Sequence, residues 1–375
     1  MTTTSPATTE PSAAGNDNRR DTSFHPLAVA AVDQLTEDAV AITFDLPEDV
    51  AAGFRFRAGQ HVTLRLVLGG QEERRSYSLC SPAGSGSLRI GVKRLDGGLV
   101  STHLTEALQP GDTVDVMAPL GRFGIDSVPD RSAHYAAVCA GSGITPILSI
   151  ITTMLDAEPD SSFTLVYGNR TSASVMFLEE LADLKNVYLD RLRVVHVLSR
   201  EARDVALLTG RIDAEKLRLI FDQSLGETAE TWFLCGPLGL VETTRAELIR
   251  AGVPDRAVRT EIFHVDGEPV VERSHVDVRA GDAVATVTAT LGGRSSTFDH
   301  ISGSPSLLDS MLRVRADAPF SCKGGVCGTC RALLVDGSVE MGRHYALESD
   351  EIDAGFVLAC QSQPTSGHVT LDFYK

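Results

Sequence analysis

Between Phe24 and about Ile125, apolar and polar residues alternate in short runs broken by Gly and Pro. Examples are Ala39-Val40-Ala41-Ile42-Thr43-Phe44, His61-Val62-Thr63-Leu64-Arg65-Leu66 and Leu88-Arg89-Ile90-Gly91-Val92-Lys93. Alternation buries one face of each run, and short strands between turn residues predict an antiparallel β-barrel over 24–128. From about Ala133 the rhythm changes. Continuous apolar runs at Tyr135–Cys139, Phe163–Tyr167, Leu192–Leu198 and Thr231–Leu234 are each followed by a helical stretch. That pattern predicts an α/β domain with a parallel sheet over 129–265. A polar connector, 266–275, leads to a third domain, 276–375. Residues 1–23 are rich in Thr, Ser, Pro, Ala and Asn and lack apolar periodicity, the composition of a disordered tail.

A chain of 375 residues is long enough for two or three cores. Its formal charge of −16 argues against nucleic acid as a partner, because phosphate binding needs concentrated Lys and Arg. From Ala133 to Leu155 there is no charged residue, yet Gly141-Ser142-Gly143 and Thr145-Pro146 interrupt the run, so a strand and a helix are expected rather than a membrane span. The N-terminus has no apolar secretory core, and a cytoplasmic protein is expected.

Cys322, Cys327, Cys330 and Cys360 have four residues between the first pair, two between the next and a long gap before the last. This is the plant-type spacing for a [2Fe–2S] cluster held by four thiolates. Structural zinc usually takes two close pairs, and only Cys327 and Cys330 are close here. Disulfides fit poorly with seven cysteines and no secretory signal. The residues between the ligands are mostly small, which lets backbone N–H groups approach the sulfurs. Cys80 and Cys139 have no ligand-like partner and are expected to pack in the core, and the ten histidines lack metal-binding spacing, so none is given a catalytic part.

In the barrel, Arg75-Ser76-Tyr77-Ser78 sets a guanidinium, an aromatic ring and a hydroxyl on one extended segment, suited to a phosphate, a planar ring and its polar edge. An ordinary barrel strand would explain it equally well alone. Val92-Lys93 and then Gly98-Leu99-Val100-Ser101 follow, where small residues admit a pyrophosphate at a helix start. In the α/β region, Gly141-Ser142-Gly143-Ile144-Thr145-Pro146 joins a strand to a helix, and Cys235-Gly236-Pro237 follows the last apolar strand. Both would lie at the carboxyl edge of a parallel sheet, where such sheets bind ligands.

These three motifs, in this order, resemble the ferredoxin–NADP reductase superfamily, with a plant-type ferredoxin of β-grasp, α+β fold joined behind it. Within it, Tyr167-Gly168-Asn169-Arg170, Met176 to Lys185, His196 to Glu201, Cys322 to Arg331 and Tyr345-Ala346-Leu347-Glu348 are similar to the reductase subunits of phenylacetyl-CoA epoxidases. Reductases of steroid 9α-hydroxylases share the domain order. The resemblance implies FAD, with Arg75 on its phosphate, Tyr77 against the isoalloxazine, Ser78 at N5, and Gly98 to Ser101 around the pyrophosphate; relatives with the same strand motif also use FMN. It implies catalytic places for Ser78, Cys235 and Glu261 around nicotinamide and flavin. Ser199 and Arg200 match the positions that bind the 2′-phosphate of NADPH, while the adjacent Glu201 would suit an NADH ribose, so NADPH is expected ahead of NADH.

NADPH gives electrons in pairs and a [2Fe–2S] cluster takes one, which a flavin between them reconciles. The external acceptor implied is the di-iron oxygenase that epoxidises phenylacetyl-CoA, with a Rieske oxygenase as the enzyme alternative and a non-catalytic carrier or redox sensor as the alternative of another class. Arg343-His344 departs from the smaller polar pair expected there and marks a surface for the acceptor.

Overall fold

In the computed structural model residues 22–224, 229–264 and 283–373 are described. The expected tail, but for its last two residues, and the whole expected connector lie outside them.

The barrel is built from β1 (Phe24–Thr36), β2 (Ala39–Phe44), β3 (His61–Leu68), β4 (Gln71–Ser78), β5 (Leu88–Lys93) and β6 (Thr113–Leu120), with α1 (Glu48–Ala51) and α2 (Leu99–Glu106) between strands. The order is β4-β3-β6-β1-β2-β5, every neighbour antiparallel. Gly69 and Gly70, at φ 58° and 82°, turn β3 into β4, which needs left-handed backbone at both positions. An antiparallel bridge between Leu79 and Ile90 joins the two outer edges and closes the barrel. Val40, Ile42, Val62, Leu64, Ile90, Val92 and Val116 fill it. Because side chains alternate along a strand, Ala39 and Ala41 face out of the barrel, into the core of the next domain.

That domain holds β7 (His134–Ala140), β8 (Ser162–Asn169), β9 (Leu192–Leu198), β10 (Thr231–Pro237) and β11 (Val258–His264) in the order β11-β10-β7-β8-β9, all parallel. Helices α3 (Ile144–Ala157) and α4 (Leu178–Val187) cover one face, and α5 (Ala214–Ser224) and α6 (Leu238–Arg250) the other. The uncharged stretch thus divides into β7 and α3, and among the described residues no helix is long and apolar enough to cross a membrane. The chain runs from β7 outward to β9, then returns to β10 on the opposite side of β7. The turn after β7 and the end of β10 are therefore neighbours at the switch point where such sheets bind ligands.

The third domain is a mixed sheet, β13-β12-β16-β14-β15, of β12 (Ala283–Leu291), β13 (Arg294–Ile301), β14 (Arg331–Met341), β15 (Phe356–Leu358) and β16 (Ser362–Asp372). Only the β12–β16 pair is parallel. Helix α7 (Leu307–Leu312) packs Leu307, Leu308 and Met311 into the core of this domain, and α8 (Ser349–Asp353) lies before β15. The expected antiparallel barrel, parallel-sheet domain and C-terminal ferredoxin fold are all present.

Candidate active site

Ser78 ends β4, and the β3–β4 ladder sets His61 opposite it. Across the interdomain cleft, the β10–β11 register sets Glu261 beside Cys235. The Ser78 hydroxyl donates to Glu261 Oε2 at 3.4 Å, and Cys235 Sγ lies 4.0 Å from the same oxygen. His61 Nδ1 stands 3.9 Å from Oε1, the two side chains being 5% and 15% exposed. Burial pushes the Glu261 carboxyl up to about 8, against the pull of the Ser78 hydroxyl and with a push from Cys327. It also pushes the Cys235 thiol well up and the His61 imidazole down to about 4. At neutral pH the cluster is largely uncharged, a dry pocket with hydroxyl, thiol, acid and imidazole. Such a site excludes water and offers neutral donors to a reacting ring.

Along β4, Arg75 pairs with Glu73 at 2.9 Å and Tyr77 packs against the barrel core. Val92 is buried in the barrel, and Lys93 reaches Asp38 at 3.0 Å. Gly98 caps α2 with no side chain on the N–H groups of the first turn, so those of Leu99, Val100 and Ser101 are open to an anion. A Cβ at Gly98 would lie 2.6 Å from Ser101 Oγ and 3.2 Å from Leu95 O, which keeps this cradle bare. These features fit the pyrophosphate of an FAD. Arg75 Nη1 serves both Glu73 and Arg74 O, and the rest of the half-exposed guanidinium remains for a phosphate.

Gly141-Ser142-Gly143 makes a 3₁₀ turn into α3, whose first turn also lacks a side-chain cap. Thr145 Oγ1 donates to Ser142 O at 3.0 Å, Pro146 lies buried in the first turn, and Tyr167 OH donates to Gly141 O at 2.9 Å. A Cβ at Gly143 would come 2.4 Å from Cys235 O, so only glycine lets the turn meet Cys235-Gly236-Pro237. Beyond the strand ends, Ser199 N donates to Asn169 O and Arg200 N to Arg170 O, which sets two arginines side by side. Glu201 accepts from Ser172 N at 2.7 Å and Ser172 Oγ at 2.8 Å. That N–H, followed by the hydroxyl, holds the Glu201 carboxyl below its usual range.

In the third domain the four thiols stand as two pairs, Cys327 with Cys322 and Cys330 with Cys360. Gly324 N donates to Cys322 Sγ at 3.3 Å, and Gln361 Nε2 approaches Cys360 Sγ at 3.6 Å. Two thiol pairs side by side suit the two irons of a [2Fe–2S] cluster. Gly325 has φ 81°, and a Cβ there would lie 2.5 Å from Arg343 O. Cys80 and Cys139 are buried in the core shared by barrel and α/β domain.

The cluster loop is docked on both other domains. Val326 and Tyr345 pack against the core around α6, and Cys327 and Gly328 line a cavity of about 550 Å³ with His61, Gly121 and Glu261. The Arg74 guanidinium lies 5.0 Å from the Phe24 ring and 4.1 Å from Phe320, and donates to Ala318 O at 3.4 Å. Glu351, buried, accepts from Arg122 of the barrel at 2.5 Å and pairs with Arg331 of its own domain at 2.7 Å. Arg343 and His344 line a second cavity, of about 370 Å³, against α6. Both side chains stay exposed at that cavity, while Tyr345 beside them packs against the α/β domain. Sequence reasoning missed His61, Arg74, Arg122 and Glu351. Only the β3–β4 register carries a signal for His61, and the others depend on contacts between domains.

The Oxidoreductase FAD-binding domain family matches residues 26–125, the Oxidoreductase NAD-binding domain family 137–246, and the 2Fe-2S iron-sulfur cluster binding domain family 289–365. The chain is 42% identical over 358 residues to one of the subunits of the 1,2-phenylacetyl-CoA epoxidase of Escherichia coli (strain K12), covering 94% of this chain and 98% of that one. It is 34% identical over 353 residues to the 3-ketosteroid-9-alpha-monooxygenase, ferredoxin reductase component, of Rhodococcus rhodochrous, covering 92% and 96%. Phthalate dioxygenase reductase shares the fold, with a TM-score of 0.57 at 24% identity over 93% of this chain and 98% of that one. The chain belongs to the family of oxygenase reductases that join an FAD-binding barrel, an NAD-binding α/β domain and a [2Fe–2S] ferredoxin domain.

Proposed function

We propose that this reductase draws electrons from NADPH and delivers them through its [2Fe–2S] domain to the di-iron oxygenase that epoxidises phenylacetyl-CoA. The observation that carries the reading is the meeting of Ser78, Cys235 and Glu261 from two domains with Cys327 of the third on one crevice. A bound flavin supplies the change from paired to single electrons. Around it, Ser78 offers a hydroxyl to the ring edge, Cys235 and the Gly141 to Gly143 turn form the wall for the nicotinamide, and Cys322, Cys327, Cys330 and Cys360 hold the irons. A passive carrier has no use for the first three.

NADPH is favoured over NADH because one oxygen of Glu201 is taken up by two donors of Ser172 while the Arg200 side chain stays exposed. That leaves a ribose diol only the other oxygen, which Arg203 Nε approaches at 3.8 Å, whereas a 2′-phosphate keeps a guanidinium. The di-iron acceptor is supported by the full-length likeness to the epoxidase protein, which exceeds that to the ketosteroid reductases. The test supplies the purified reductase, with NADPH, to a phenylacetyl-CoA epoxidase oxygenase and separately to a ketosteroid 9α-hydroxylase oxygenase. Epoxide formed by the first at the higher rate supports the reading, and product only from the second overturns it.

A further inference from the structure

We propose that Arg74 and Arg122 are positioning residues for electron transfer within the chain, a two-point clamp by which the flavin barrel grips the cluster loop at both of its ends. Such a clamp serves the FAD and the [2Fe–2S] cluster whichever nucleotide feeds the flavin and whichever acceptor drains the cluster. At the first end, Arg74 of β4 is buried between two rings, 5.0 Å from Phe24 of the barrel and 4.1 Å from Phe320, which stands just before the ligand Cys322. It also donates to Ala318 O at 3.4 Å. Lys323 Nζ lies 4.9 Å from the same Phe320 ring and pairs with Asp309 at 2.9 Å, so the stack continues into the ligand loop.

At the second end, Arg331 follows the ligand Cys330 directly. Its guanidinium lies 3.4 Å from the Phe356 ring and pairs with Glu351 Oε1 at 2.7 Å. Arg122 of the barrel donates to that same oxygen at 2.5 Å, and Glu351 Oε2 accepts from Glu348 N at 3.2 Å. A buried carboxyl group that served only its own domain would be paired by Arg331 alone; here a second guanidinium reaches it from the barrel. Arg122 is 58% exposed and Glu351 6%, so the joint lies at the rim of the contact.

The two arginines stand on the same part of the barrel as the flavin segment. In the order β4-β3-β6, Arg74 lies on β4 just before Arg75 to Ser78, and Arg122 follows the end of β6. The registers set Leu120 opposite His61 and His61 opposite Ser78, so two ladders tie Arg122 to the end of β4. Polar contacts between domains ordinarily leave the partners free to move. Contacts that bracket Cys322 and Cys330 do more than hold the ferredoxin domain, because they fix where its ligand loop sits against the strand that faces the flavin. In the step they serve, one electron passes from the reduced flavin to the oxidised cluster, and no bond of this chain forms or breaks. Transfer weakens steeply with separation, so a fixed loop sets its rate.

The test uses the flavin- and cluster-loaded full chain and needs no nucleotide. The flavin is reduced by a laser flash with deazariboflavin, and its reoxidation is followed together with cluster bleaching. Arg122→Glu, which sets a second carboxyl group against Glu351, is expected to slow flavin-to-cluster transfer about 10-fold or more by lowering the docked fraction. The slowed step should depend on solvent viscosity, because the ferredoxin domain must then return to its seat, whereas the wild-type step should not. Arg74→Gln is expected to act in the same direction, and Arg122→Lys, which keeps a charge for Glu351, to stay near the wild-type rate. The cluster's midpoint potential should be the same in all four proteins. A second readout needs no electron transfer: hydrogen exchange over Ala318 to Phe320 and over α8 is expected to quicken in Arg122→Glu. Wild-type transfer rates in both Arg122→Glu and Arg74→Gln, slowing matched by a shift in cluster potential, a wild-type step that itself slows with viscosity, or unchanged exchange in Arg122→Glu would each overturn the clamp.

Discussion

The cluster loop and the hydride crevice are built on opposite plans. Around the cluster, four thiols come from 39 consecutive residues of one domain, from Cys322 to Cys360, and the backbone itself, through Gly324 N and the left-handed Gly325, supplies the geometry. In the crevice, Ser78 and Glu261 are 183 residues apart and meet only because a barrel edge and a sheet edge are pressed together. One site is set by local chain conformation and the other by interdomain packing. The first therefore breaks through single ligands, and the second through charge and contact.

Cys330→Ala is expected to have the largest effect. Alanine offers no donor to iron, so the variant should lose the cluster's visible absorption and all reduction of cluster-dependent acceptors, yet still bleach its flavin with NADPH. If the cluster survived, the assignment of ligands would be wrong.

In the crevice, Cys235→Ala and Glu261→Gln are each expected to slow flavin reduction about 10²-fold while the cluster spectrum stays intact. Stopped-flow absorbance reads both at once. Normal flavin reduction in both variants would remove the crevice from the mechanism.

Arg200→Ala sharpens the comparison at the sheet edge. Losing charge-assisted contacts to a 2′-phosphate costs about 1.5–3 kcal/mol, about 10- to 100-fold in kcat/KM for NADPH, with little change for NADH. Equal losses for both nucleotides would count against the phosphate assignment.

The smallest effect is on stability against pH. Glu261, raised from 4.5 to about 8 in the fold, stabilises fully below 4.5 and loses that contribution as pH rises through 8. His61, lowered from 6.5 to about 4, acts oppositely below 6.5. The two offset each other up to 6.5, so Glu261 acts alone between 6.5 and 8. Thermal melts over that window should show wild type falling relative to Glu261→Gln; parallel curves would mean that the carboxyl is not buried in solution.

The same contrast explains what is legible in the chain alone. Alternating runs such as Ala39 to Phe44 and the apolar strand at Tyr135–Cys139 announce their elements because burial acts on each residue separately, and the cysteine spacing is local. Ser78, Cys235 and Glu261 come from resemblance rather than from pattern. His61 carries only the register of its hairpin as a signal, because Glu261 beside it comes from a strand distant in sequence. Arg74, Arg122 and Glu351 are illegible for a related reason, since an ion pair spanning 229 residues leaves no periodicity. Arg343-His344 reads as an outward surface in the sequence and both residues are exposed, yet their nearness to α6 depends on domain docking that no local pattern announces.

Electron flow in this reductase turns on a cluster already docked beside the crevice, and anaerobic stopped-flow mixing with one equivalent of NADPH at several protein concentrations tests this most directly. Flavin bleaching followed by cluster bleaching at a rate independent of protein concentration is the predicted result. A cluster rate rising in proportion to protein concentration, or a cluster that stays oxidised beside a reduced flavin, would contradict it.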